Sequence, residues 1–208
     1  MKSDGGVGSG KPRHSGGKIW KSHIYDPVKG DDSTDTARDA FMLLYGLYQN
    51  AKQVWWGGNH YAQSAGLSNS SCWLVWNKVN GDSDFADCEL AWTNHKGSVR
   101  MLTHQWCGMT RASEHRYRVH PNQKPSALAS WAFDMVDKKN EATTMLDPFA
   151  GSGSSLMAVN DTNRTGFMIE FIPAYCDVIC KRFQVATGIE PVLESTGETH
   201  DFIGDTDG

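Results

Sequence analysis

Along residues 35–52 (DTARDAFMLLYGLYQNAK) apolar side chains return at Ala37, Phe41, Leu44 and Tyr48. A spacing of three to four residues places them on one side of a helix, and Ser33 or Thr34 offers an oxygen suited to cap its first turn. The pattern then changes. QVWWGG (53–58), CWLVWNK (72–78) and ELAWTN (89–94) are short apolar runs bounded by Gly, Asn, Asp and Ser, which read as buried strands, and SVRMLTHQW (98–106) reads as another. After Pro125, SALASWAFDMVDKK returns to helical spacing with Leu128, Trp131, Met135 and Val136 on one side, and a proline fits the start of a helix. TTMLDPF is then a strand, SSLMAVND a short helix, TGFMIE a strand, and AYCDVICKRFQVAT a helix that Gly188 stops. Alternating strands and helices call for an α/β fold, a parallel sheet covered by helices.

The two ends lack this patterning. Residues 1–18 are rich in Gly, and residues 190–208 carry six acidic side chains with no Lys or Arg. The expectation is one domain over 1–188 and an acidic, disordered tail over 189–208. A chain of 208 residues, 39% hydrophobic and 21% charged, can bury the core of one domain. No apolar run approaches the roughly 20 residues that cross a bilayer, and the amino end has no apolar stretch of a signal peptide, so the expected location is the cytoplasm. Five cysteines form no CxxC pair, which suggests neither a disulfide framework nor a metal site.

The net charge of −4 argues against broad nonspecific binding to nucleic acid, but its distribution matters more. Between Lys96 and Lys124 the fixed positive charges are Lys96, Arg100, Arg111, Arg116, Arg118 and Lys124, opposed by Glu114 alone. A solvated basic loop and a phosphate-contacting surface both fit this run.

Two stretches bear on nucleotide chemistry. GGVGSGKP (5–12) fits the first positions of a phosphate loop, but Pro12 stands where a Ser or Thr would hold magnesium, and only Met1 to Asp4 precede it where a strand is needed. LDPFAGSGSS (146–155) has the context the first one lacks: a strand ending in Asp147, a turn with Gly151 and Gly153, and a helix directly after. Glycines let the backbone approach a ligand, and a helix start offers unpaired N–H groups. About twenty residues on, the next strand ends at Glu170, suited to accept hydrogen bonds from the two hydroxyls of a ribose. Together they predict an adenosine-containing cofactor, although a structural turn also fits these residues taken alone.

DPFAGSGSS with Glu170 downstream, and HPNQKP (120–125) with a helix upstream, resembles the amino-methylating DNA methyltransferases. These enzymes move a methyl group from S-adenosylmethionine to adenine N6 or cytosine N4. The family's usual text is HPxQKP and DPFxGSGTT; here Asn122 fills the open slot and Ser154 and Ser155 stand in place of the two threonines, mild departures. WGGNHY (56–61), WLVWNK (73–78) and FADCELAWT (85–93) are similar to phage and prophage members, so the likeness spans about residues 30–184. The resemblance implies a Rossmann-like S-adenosylmethionine-dependent methyltransferase fold in permuted motif order, with a mostly parallel sheet and helices on both faces. It implies that Asp147, Pro148, Phe149, Gly151, Ser152 and Gly153 line the cofactor, that Glu170 holds the ribose and Phe171 covers the adenine. Gln123, Lys124 and Pro125 would close the methionine end. Residues 96–119 fall where a target-recognition segment lies, which assigns Lys96, Arg100, Arg111, Arg116 and Arg118 to double-stranded DNA.

The family also requires a strand ending in DPPY or a close variant, whose first side chain and a proline carbonyl accept hydrogen bonds from the target amine while the aromatic ring stacks on the flipped base. This sequence has no DPPY. Asp4, in KSDGGVGSGK, stands where the motif's first residue falls in related chains, and YDPV (25–28) lacks the second proline and the aromatic residue. One central strand is therefore expected to be missing. Two readings stay open: an amino end that is clipped and altered, or a remnant that binds cofactor or DNA without methylating.

Overall fold

The computed structural model describes residues 30, 32–81, 85–107, 110–114, 119–139 and 141–204. GGVGSGKP, YDPV, Asp4, Arg116 and Arg118 lie outside them.

Helix α1 (Asp35–Leu47) leads to β1 (Val54–Trp56), the single turn α2 (Gly58–Tyr61), β2 (Leu74–Asn77), β3 (Cys88–Thr93) and β4 (Arg100–Thr103). A small hairpin, β5 (Trp106–Cys107) and β6 (Thr110–Arg111), precedes α3 (Ser126–Val136). Then follow β7 (Thr144–Asp147), α4 (Ser154–Asp161), β8 (Thr165–Met168) and α5 (Pro173–Thr187), closed by a second hairpin, β9 (Val192–Leu193) and β10 (Glu198–Thr199). The α1 helix ends earlier than its sequence pattern, at Tyr48, so Tyr45 rather than Tyr48 completes the buried face with Ala37 and Phe41.

The larger sheet has the order β1-β3-β2-β4. β3 is antiparallel to both neighbours, whereas β2 and β4 run parallel. This corrects the mostly parallel sheet expected from the sequence. A parallel neighbour needs a crossover connection, and the described residues between β2 and β3 and between β3 and β4 include no helix; the chain reverses at each. Where a helix does intervene, β7 and β8 pair in parallel, Thr144 opposite Thr165 through Asp147 opposite Met168. Among the described residues no ladder joins the two sheets, and β1 and β7 each have a single strand partner.

Alternation within the strands divides the core. Trp56, Leu74 and Ala91 point to one face with Ala132, Trp131 and Met135 of α3; Trp55, Trp73 and Trp92 point to the other with Phe41 and Tyr45 of α1. The adjacent tryptophans at 55 and 56 thus serve opposite faces. Phe41 meets the rings of Trp55 and Trp92 edge-on, with centroids 5.2 and 5.4 Å away, a favoured geometry for aromatic pairs.

Helix α3 also packs against α4, which covers one face of β7–β8. The opposite face of that pair stays exposed, with Leu146 at 38% and Phe167 at 59%. Helices on both faces, expected from the sequence, therefore hold for the larger sheet and not for this pair. The two parts meet again at Asp137, just beyond α3. Its buried carboxylate accepts from Lys52, from Arg164 at 3.3 Å and from the backbone of Glu141 and Ala142 at 3.1 and 2.9 Å. Burial alone would raise its pKa, but Lys52, the two amides and Arg164 hold it well below the usual carboxylate range.

The segment after Gly188 is a further correction. It forms a hairpin in which Glu198 pairs with Leu193 and Thr199 with Val192, and it docks on α5 through Gln184, which donates to Asp201 at 2.7 Å and accepts from Phe202 N–H at 2.8 Å. Acidic composition suggested disorder, but Gly197 at φ 74 gives the turn and the buried Gln184 amide gives the anchor.

Candidate cofactor site

The turn after β7 is built by its own sequence. Asp147 Oδ1 accepts the Phe149 N–H at 2.9 Å and its other oxygen accepts the Ser155 hydroxyl, so one carboxylate ties the strand end to the start of α4. Gly151 and Gly153 hold φ of 53 and 78, left-handed values that an L side chain rarely takes. At Gly153 a side chain would also meet Ile179 of α5 at 3.1 Å, so the loop lies flat against that helix.

Glu170 closes the turn from the neighbouring strand. Its Oε2 accepts the Gly151 N–H at 2.8 Å and its Oε1 the Ile172 N–H at 2.9 Å. A carboxylate has about four acceptor positions. Each oxygen of Glu170 thus keeps capacity for a further donor, as two vicinal ribose hydroxyls would require. Phe171, next to Glu170 in the chain, and Phe149, two residues after Asp147, leave 73% and 48% of their surface exposed. The residues present fit an adenosine group.

HPNQKP lies directly against the turn. The His120 imidazole is 3.6 Å from where a Gly151 side chain would begin, is buried, and packs on Tyr175 with centroids 4.3 Å apart. The Lys124 carbonyl accepts the Ser154 hydroxyl, and Pro125 is fully buried at the start of α3. The two motifs, about thirty residues apart in the chain, lie against each other. Their side chains do not all turn inward. The Gln123 amide is buried and takes Val119 N–H at 3.0 Å on its oxygen while donating to Glu114 at 3.1 Å. The Lys124 ammonium sits 3.5 Å from Glu89, which also receives Lys78 at 2.6 Å. Burial raises the Glu89 pKa, and the two lysines outweigh it and keep the carboxylate below its ordinary value.

The basic segment divides in the same way. Lys96 and Arg100 are exposed, as a phosphate contact requires. Arg111 is 7% exposed, and its guanidinium lies 4.3 Å from the Trp106 ring centroid, so it is held inside rather than presented. Sequence reasoning passed over Glu114 and Arg182, whose side chains join this segment to the turn. A lone acid within a basic run just ahead of HPNQKP was the available signal.

Among the described residues no helix is long and apolar enough to cross a membrane. A family profile described as DNA methylase, of the N6/N4 type, matches residues 17–181. No curated protein sequence matches the chain. Among solved structures, the M1.HpyAVI–SAM complex is similar at 18% identity and a TM-score of 0.51, over 73% of this chain and 84% of that one. M1.HpyAVI in a second structure gives 20% identity and 0.46 over 68% and 82%, and TTHA0409 of Thermus thermophilus gives 18% and 0.39 over 61% and 57%. The first of these likenesses shows the Rossmann-like methyltransferase fold. With the profile spanning most of its length, the chain belongs to the N6/N4 DNA methylase family.

Proposed function

We propose that the chain binds S-adenosylmethionine at the 147–153 turn and Glu170, and that its reaction is methyl transfer to the exocyclic amine of adenine (N6) or cytosine (N4) in double-stranded DNA. The observation that carries this reading is the Glu170 carboxylate on the Gly151 N–H at 2.8 Å, which brings a ribose-type acceptor to a glycine turn packed against HPNQKP. The cofactor would supply an activated methyl on a sulfonium. Glu170 orients the ribose, the amides and small residues from Asp147 to Gly153 shape the walls, and Phe171 and Phe149 offer ring faces to the adenine. Pro125 closes the methionine end, while Gln123 and Lys124 brace the loop from behind through Glu114 and Glu89. Lys96 and Arg100 contact phosphates, and the sequence places Arg116 and Arg118 in the same basic run.

A second reading is favoured by one specific observation: the sequence has no DPPY. In this reading the chain binds cofactor or DNA without methylating. Calorimetry with S-adenosylhomocysteine tests the site, and no heat with the wild-type chain overturns it. Transfer of labelled methyl from S-adenosylmethionine to unmethylated plasmid DNA separates the readings: incorporation above a no-enzyme control establishes the enzyme, and binding without incorporation establishes the remnant.

A further inference from the structure

Glu114 follows the β5–β6 hairpin at φ 53, a left-handed conformation that a non-glycine residue holds only when its surroundings impose it. Its carboxylate collects donors from separate parts of the chain. Oε1 accepts the Ser126 N–H at 2.8 Å and the Ser126 hydroxyl at 2.9 Å; Oε2 accepts Gln123 Nε2 at 3.1 Å and Arg182 Nη2 at 3.1 Å. Arg182 is itself forked, because Nη1 donates to the Ser152 carbonyl. One planar guanidinium therefore spans from the basic segment to the peptide between Gly151 and Gly153.

That peptide needs the restraint. Two glycines flank it, and glycine loses more conformational freedom on ordering than any other residue. From one side Glu170 holds the Gly151 N–H, and from the other Arg182 holds the Ser152 oxygen. At the far end of the network the Gln123 oxygen takes the Val119 N–H at 3.0 Å. Glu114 and Val119, the described residues on either side of 115–118, are thus fastened to one Gln123 side chain.

We propose that Glu114 is a positioning residue for the cofactor turn, acting through Arg182 on the Ser152 carbonyl and through Gln123 on the Val119 backbone just ahead of HPNQKP. That role rests on the cofactor reading of the turn given above.

The test uses the full chain, with Glu114→Gln and Arg182→Lys. The first keeps the side-chain size and removes the charge; the second keeps the charge but replaces a planar fork with an ammonium. Hydrogen exchange over residues 147–156 in the ligand-free protein reads the restraint directly and is expected to quicken in both variants. Calorimetry with S-adenosylhomocysteine reads the consequence for the site: binding on the order of fivefold weaker in each variant than in the wild type. Unchanged exchange in both variants overturns the proposal, as does an affinity equal to wild type in both. A wild-type chain that binds no S-adenosylhomocysteine overturns the cofactor reading, while the exchange result still reports separately on whether Glu114 restrains the turn.

Discussion

Glu170 and Gly151, nineteen residues apart, are joined by a 2.8 Å hydrogen bond from the glycine N–H to the carboxylate. The bond fixes the turn's left-handed glycine and aims the carboxylate at the same time. In the proposed site, restraint of the turn and recognition of the ribose thus fall to one side chain.

Glu170→Ala removes a charged acceptor from the turn and from any ribose bound there. Hydrogen bonds to charged groups contribute about 1.5–3 kcal/mol, so S-adenosylhomocysteine should bind roughly 10- to 100-fold more weakly. Calorimetry on the purified variant checks the ratio; an affinity equal to wild type would remove Glu170 from the site.

The two glycines of the turn should differ in tolerance. A side chain at Gly151 meets nothing nearer than 3.6 Å, so Gly151→Ala bears mainly the left-handed strain, on the order of 1–2 kcal/mol. Gly153→Ala adds contacts of 3.1 Å with Ile179 and should cost more, about 2–4 kcal/mol in all. Thermal unfolding should therefore rank wild type, Gly151→Ala and Gly153→Ala in that order.

Asp137 makes stability depend on pH. Its folded pKa is depressed, so its contribution is complete above the ordinary carboxylate pKa of about 3.9 and is lost as pH falls toward the lower folded value. Asp137→Asn should be less stable than wild type near pH 7, and the gap should narrow below about pH 4. Denaturant titrations at a series of pH values measure the gap. A difference constant from pH 7 down to about pH 3 would mean that the carboxylate charge is not what joins Lys52 and Arg164.

The basic residues should separate into two classes. Lys96→Ala and Arg100→Ala should each lower the slope of log affinity against log salt by about 0.9 for duplex DNA, without changing stability. Arg111→Ala should leave that slope alone and reduce stability by on the order of 1 kcal/mol, since its guanidinium packs on Trp106. Filter binding across a salt series, with melting temperatures for each variant, distinguishes them.

Much of this was legible in the sequence because it depends on neighbours along the chain. The spacing of Ala37 and Phe41, the aromatic strands, SSLMAVND over 154–161 and the stop at Gly188 follow from local periodicity and local turn chemistry, and the structure realises each. The turn at Asp147 is equally local, because its carboxylate caps residues two and eight positions on.

What the sequence by itself determined is therefore the kind of element over most of residues 35–188 and the residues that build the glycine turn after β7. Only the tertiary structure decided which strands run parallel, which charges face inward and which residues hold the turn in place. Strand direction depends on whether a helix fits between neighbours. The inward course of Arg111, the bracing roles of Gln123 and Lys124, and the span from Glu114 through Arg182 to Ser152 arise between segments distant in the chain. A hydrogen bond across 68 residues leaves no periodic trace, because its geometry exists only once the helices have packed.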